Sequence, residues 1–245
     1  MLRMTTTMDP ATSGVKEVAE VLGGGIREGS LVMIEGEAKS GKSTFSQHIV
    51  YGVLSTKDSS IAYYTTDYSP EELINQMESF SLYARQDLVT DRLRVYTINP
   101  PDITQKPEEL LQQIVSNISE LPGRFNLVIV DSVTPFMTRI VPLEKVGFLQ
   151  ACKELCEHGR SIILVADTHV FDAKTLYRAH AMSDYYLKLR SKDMMLDSGQ
   201  METRVIKILD VTKLAGAERP GQETIKFEIK PRVGIQMLPF IKIKV

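Results

Sequence analysis

The sequence predicts an α/β protein of three layers: a parallel core sheet with helices on both faces and an antiparallel C-terminal extension. Three observations carry this. Through the first two thirds, short apolar runs alternate with helical stretches. A phosphate-loop pattern joins the first strong strand to the helix after it. In the last third, strands follow one another with little helix between them.

Residues 1–13 are polar and Thr-rich and read as a flexible tail, with residues 14–245 as a single domain. Gly23-Gly24-Gly25 begins a turn, and Gly29-Ser30 precedes a strand over 31–35. A helix follows over 41–55, a strand over 61–66, a helix over 70–83, a strand over 93–98 and a helix over 106–118. The most apolar strand is 127–130, ending in Asp131; a helix over 141–158 and a strand over 161–166 come next. Residues 185–189, 204–211, 225–229 and 234–238 read as the antiparallel edge, and 191–200 as a polar, mobile loop.

The chain has 245 residues, 43% hydrophobic and 24% charged, enough for one large core without staples. Its net charge of −2 supplies no overall basic field, which argues against nucleic acid as a partner. Cys152 and Cys156, four apart on a helix, read as small apolar core residues, and reduced thiols point to the cytoplasm. No run is long enough to span a membrane, and the N-terminus lacks the apolar core of a signal peptide; neither export nor membrane insertion is expected.

Gly36-Glu37-Ala38-Lys39-Ser40-Gly41-Lys42-Ser43 matches G-x-x-x-x-G-K-[ST] between a strand and a helix. Loop amides and the following helix N-terminus at Thr44 favour phosphate there. Lys42 would bridge the β- and γ-phosphates, and Ser43 would ligate Mg2+. Asp131, at the carboxyl end of a buried strand, is the expected second Mg2+ contact. Asp167-Thr168-His169 ends another strand on that edge, and Thr168 or His169 is a candidate γ-phosphate sensor. Ordinary loop polarity explains the same residues.

Four further segments carry a resemblance. Gly24-Gly25-Ile26-Arg27-Glu28-Gly29-Ser30 resembles the G-G-x-x-x-G-S lead-in of RecA-type ATPases, especially the KaiC-like group. Tyr64-Thr65-Thr66-Asp67-Tyr68-Ser69-Pro70-Glu71-Glu72 is similar to that group's stretch after the second strand. Asp131-Ser132-Val133-Thr134 resembles its D-S-V-T run, and Lys213-Leu214-Ala215-Gly216 falls where it carries K-x-R-G. The similarity spans nearly the whole chain beyond the tail. With its single-domain length, the chain looks most like the archaellum accessory ATP-binding proteins of archaeal motility motors.

The resemblance implies a RecA-like core, ATP with Mg2+ as cofactors, and a homo-oligomer in the form of a hexameric ring. It also implies docking to the archaellum motor ATPase and scaffold proteins, which would hold a cytoplasmic protein at the membrane-bound motor. Two departures bear on turnover. Asp67 and Tyr68 stand where KaiC-like hydrolases carry two glutamates, one of which orients the attacking water; a misplacement of ~1 Å costs ~100-fold. Ala215 replaces an arginine offered to a neighbouring subunit, a group contributing roughly 10³ to 10⁵ in rate. Lys213 remains to supply charge in trans. ATP binding with slow or absent hydrolysis is therefore expected, with Asp67 either a general base or a loop residue before the helix at Pro70. Glu71 and Glu72 read as first-turn charges. The alternative is an active RecA-like ATPase, either DNA-linked or an autokinase with Ser59, Ser60, Thr65 and Thr66 as acceptors. Arg178, Arg190 and Arg219 are candidate interface or base-contacting groups or solvated charges, and Met194, Met195 and Met201 an adaptable protein-binding surface, core filling or a floppy loop.

Overall fold

The computed structural model describes residues 2–3, 13–56, 59–100, 105–197, 201–215 and 224–238. A short ribbon pairs β1 (Leu2–Arg3) with β2 (Gly25–Ile26), and α1 (Ser13–Val21) lies between them in sequence. Part of the expected tail is thus tied down; residues 4–12 lie outside the described residues. The first half of the core then runs β3 (Leu31–Gly36), α2 (Lys42–Leu54), β4 (Ser60–Thr65), α3 (Pro70–Ser79), α4 (Arg85–Val89) and β5 (Leu93–Thr97). It continues with α5 (Pro107–Glu120), β6 (Phe125–Asp131), α6 (Thr134–Met137), α7 (Pro142–Glu157), β7 (Ser161–Asp167) and α8 (Ala173–Met182). The chain closes with β8 (Tyr185–Asp197), β9 (Met201–Leu214), β10 (Thr224–Lys230) and β11 (Gly234–Met237).

Nine strands make one sheet in the order β11-β10-β9-β8-β3-β7-β6-β4-β5. Alternation along each central strand feeds two cores. Val32 and Ile34 pack with α1, α2 and α3, while Leu31 and Met33 pack with α5, α7 and α8. Strands buried on both faces need continuous apolar runs, which explains their plain appearance in sequence. Cys152 and Cys156 are buried free thiols in the second core, and burial pushes Cys156 up to about 12, so neither is reactive. No helix among the described residues is long and apolar enough to cross a membrane.

Two expectations need correction. The strand at Tyr185 belongs to the parallel sheet, because α8 carries the chain across from β7 and sets β8 parallel to β3; the antiparallel extension begins only at β9. The expected loop at 191–200 is mostly strand: β8 and β9 pair from Tyr185↔Leu214 out to Asp197↔Met201, and only residues 198–200 lie outside the described residues. Past Leu189 β8 no longer pairs with β3, so this stretch carries none of the continuous apolar run of a strand buried on both faces.

α2 is the most enclosed helix, covered by α1 and β11. His48 on it donates from Nδ1 to the Thr44 carbonyl (2.7 Å) and accepts the Ile235 amide at Nε2 (3.1 Å). That pairing requires the neutral ring, and burial depresses its pKa to about 4. In the unfolded chain the ring takes a proton near pH 6.5, so between about 6.5 and 4 the unfolded state binds more protons and stability falls as pH falls. The expected loss approaches ~1.4 kcal/mol per pH unit. Urea unfolding of the parent and His48→Gln should show the gap between them narrowing from about pH 7 to about pH 5. Glu17, bonded to the Met237 amide, is shifted upward by burial and so works in the opposite direction; the paired comparison cancels it. A gap independent of pH would contradict the neutral-ring assignment.

Candidate nucleotide site

Strand order builds the site. β7 lies between β3 and β6, so their carboxyl ends, Gly36, Asp167 and Asp131, come together on one edge. The phosphate loop leaves β3 at Gly36 and enters α2 at Lys42. A Cβ on Gly36 would overlap the Leu189 carbonyl of β8 and stand 2.6 Å from Ser40 Oγ, so the position is closed to other residues. Gly41 has φ 97° and caps α2 in the left-handed region, where a side chain would also strike Ile229. The first amides of α2 therefore face the loop with no side-chain cap, a favourable seat for an anion. Ala38 and Lys39 are exposed at the loop's apex. The Lys39 carbonyl accepts from Lys207 Nζ at 2.5 Å, tying the apex to β9. Ser40 Oγ is buried without a partner, and Thr44 is buried in the first turn.

Lys42 Nζ donates to the carbonyls of Gly36 (3.0 Å) and Glu37 (2.7 Å) and pairs with Asp167 Oδ1 at 2.7 Å. Ser43 Oγ donates to Asp131 Oδ1 at 3.2 Å, which brings a hydroxyl and a carboxylate together next to Lys42. Asp131 is 2% exposed. Burial raises its pKa; hydrogen bonds from Tyr63 and Ser43 oppose that rise, Asp67 adds to it, and Lys42 lowers it.

Tyr63, on β4, is a site residue that the sequence does not announce. Its hydroxyl donates to Asp131 Oδ2 at 2.6 Å and contacts Ser46 Oγ at 3.3 Å. No sequence signal marks it, because the contact depends on β4 lying beside β6 (Tyr63↔Ile129, Thr65↔Asp131). Tyr63→Phe leaves a buried carboxylate without one of its donors. Urea unfolding at neutral pH should show a loss of about 1–3 kcal/mol. An unchanged midpoint would mean Asp131 does not depend on that hydroxyl.

The other expected residues are distributed as follows. Asp67 is exposed beyond β4, where its Oδ1 accepts from Thr66 Oγ1 at 3.2 Å. Ser69 and Glu72 form a capping box on α3, as the cap-and-first-turn reading predicts for that segment. Thr168 opens a 3-10 turn directly after β7, and its Oγ1 is buried without a partner. Lys213 Nζ lies at the end of α8, donating to the carbonyls of His180 (3.2 Å) and Ala181 (3.0 Å). In this chain it acts as a cation on a helix C-terminus. Ser59, Ser60 and Thr65 are buried, which leaves them poorly placed as phosphate acceptors. Arg190 pairs with Asp210 at 2.9 Å, and Arg178 is exposed on α8. Arg219 and the side chains of Met194, Met195 and Met201 lie outside the described residues.

A family model described as "ATPase: KaiC" matches residues 11–240. The archaeal flagellar ATP-binding protein FlaH of Sulfolobus acidocaldarius is 24% identical over 220 residues, covering 88% of this chain and 91% of that protein. The DNA repair and recombination protein RadB of Thermococcus gammatolerans is 30% identical over 192 residues, covering 75% of this chain and 80% of that protein. The crystal structure of the flagellar accessory protein FlaH from Methanocaldococcus jannaschii superposes with a TM-score of 0.76 at 20% identity, over 98% of this chain and 99% of that one.

Proposed function

Because this chain belongs to the KaiC ATPase family of the RecA superfamily, we propose that it is a Mg2+-ATP-binding regulatory and assembly subunit of an archaellum motor, with slow or absent hydrolysis. One observation carries the nucleotide half of this reading: the Ser43 hydroxyl and the Asp131 carboxylate converge beside Lys42 at the mouth of a glycine-bounded loop. Both are hard oxygen donors suited to Mg2+. Among the described residues no cluster of three metal-ligating side chains occurs, so the cation would be shared with phosphate oxygens. Bound there, it would neutralise phosphate charge. The archaellum half rests on the nearly full-length similarity to proteins named as flagellar ATP-binding proteins.

Ring assembly follows as the role for such a site if ATP binds one assembly state more tightly than another. The test is oligomer mass, and affinity for the motor ATPase, with and without Mg2+-ATP. Larger mass or tighter binding with nucleotide is expected; identical values in both conditions remove the reading.

The RadB similarity favours a second reading, a DNA-linked ATPase. Turnover stimulated by single-stranded DNA would promote it. The net charge of −2 and Ala215 weigh against it.

A further inference from the structure

We propose that Asp167 is a specificity-determining residue of the phosphate site: it competes with the polyphosphate for Lys42, and so makes the site select cation-complexed nucleotide over the free anion. The inference rests on the nucleotide reading above and adds a residue to it. The Lys42 ammonium has three N–H bonds, and three acceptors meet them: the Gly36 and Glu37 carbonyls and Asp167 Oδ1. Gly36 is a strand residue, paired to both β7 and β8, and cannot withdraw. Asp167 can. Its side chain is 40% exposed against 9% for Lys42, so it lies on the open side of the ammonium, where a phosphate must arrive.

The backbone of Asp167 stays fixed while the side chain turns away. Its amide donates to Thr134 Oγ1 at 2.9 Å, and the Thr134 amide donates to Ser132 Oγ at 3.0 Å. The D-S-V-T run thereby acquires a task, holding Asp167 beside Lys42. A displaced Asp167 carboxylate stays on the strand edge that also carries Asp131, so the entering anion still meets two carboxylates there. Free triphosphate meets this acidic rim with its full charge, whereas a bound divalent cation cancels part of the repulsion.

Calorimetric titration with ATP, in Mg2+ and in EDTA, tests this on the parent and Asp167→Asn, which keeps the shape and an acceptor oxygen. Asp167→Ser serves as a second variant should the first fail to fold. Removing the charge should tighten binding in EDTA by about tenfold or more, with a smaller gain in Mg2+. Equal affinity of parent and variants in EDTA, weaker binding by the variants, or the same gain in both media overturns the proposal while leaving the nucleotide site standing. A folded parent that gives no heat with Mg2+-ATP fails the nucleotide reading, and this proposal with it.

Discussion

Lys42→Ala is expected to abolish the measurable heat of association with Mg2+-ATP, a loss of about a hundredfold or more in affinity. The magnitude follows from position. Lys42 is the buried cation of the loop, 8% exposed, held at the first position of α2 with its ammonium 2.7–3.0 Å from two loop carbonyls. Each charge-assisted hydrogen bond to phosphate contributes about 1.5–3 kcal/mol, and removing two of them at once weakens binding by more than about a hundredfold. Alanine suits the first turn of a helix, and the freed Asp167 is exposed enough to be solvated, so the fold should survive the change. A circular dichroism melt near the parent's, together with absent binding heat, is the expected pair of results. A variant that binds as the parent does would remove the phosphate-loop reading and everything built on it.

The parts of this molecule legible in sequence are those fixed by local chemistry. The phosphate loop is contiguous, and its glycines and Lys42 announce themselves by spacing. β3, β6 and β7 are apolar runs buried on both faces, and their limits are readable to within a few residues. α1 is hidden although Val15, Val18, Ala19 and Leu22 follow a helical period, because the glycine triplet after it dominates the segment. α8 buries only Thr175 and Ala179, too few to mark a core-facing stripe, and Asp172 caps it through two amides, a signal too short to stand out. The illegible parts depend on strand order. That Tyr63 reaches Asp131, or that Asp167 meets Lys42, depends on which strand lies beside which, and spacing along the chain does not carry that information. β8 shows the same limit. Its residues read as strand, but its parallel pairing with β3 depends on where α8 returns the chain.

Asp67→Glu is expected to raise the steady-state rate of phosphate release by about tenfold or more while leaving nucleotide affinity unchanged. Asp67 stands just past the end of β4, close enough to Asp131 to raise its pKa, yet its carboxylate accepts from the adjacent Thr66 hydroxyl at 3.2 Å. Its amide donates to Thr65 Oγ1 at 3.2 Å, so the turn that carries it is fixed at both ends of the residue. One further methylene would carry the carboxylate past that local tether, and about an ångström of reach is worth about a hundredfold when a water must be oriented. The full factor should not appear if Ala215, as the K-x-R-G resemblance implies, stands where an arginine would stabilise charge on the transferring phosphate. Adding Ala215→Arg to Asp67→Glu should therefore raise the rate again, and by more than Ala215→Arg does alone, since both groups act on one transition state. Asp67 touches neither Lys42 nor Ser43 through its hydrogen bonds, so calorimetry should return the parent's affinity. A rate unchanged by the longer side chain, with binding intact, would assign Asp67 to the turn that leads into the Ser69 cap rather than to an attacking water.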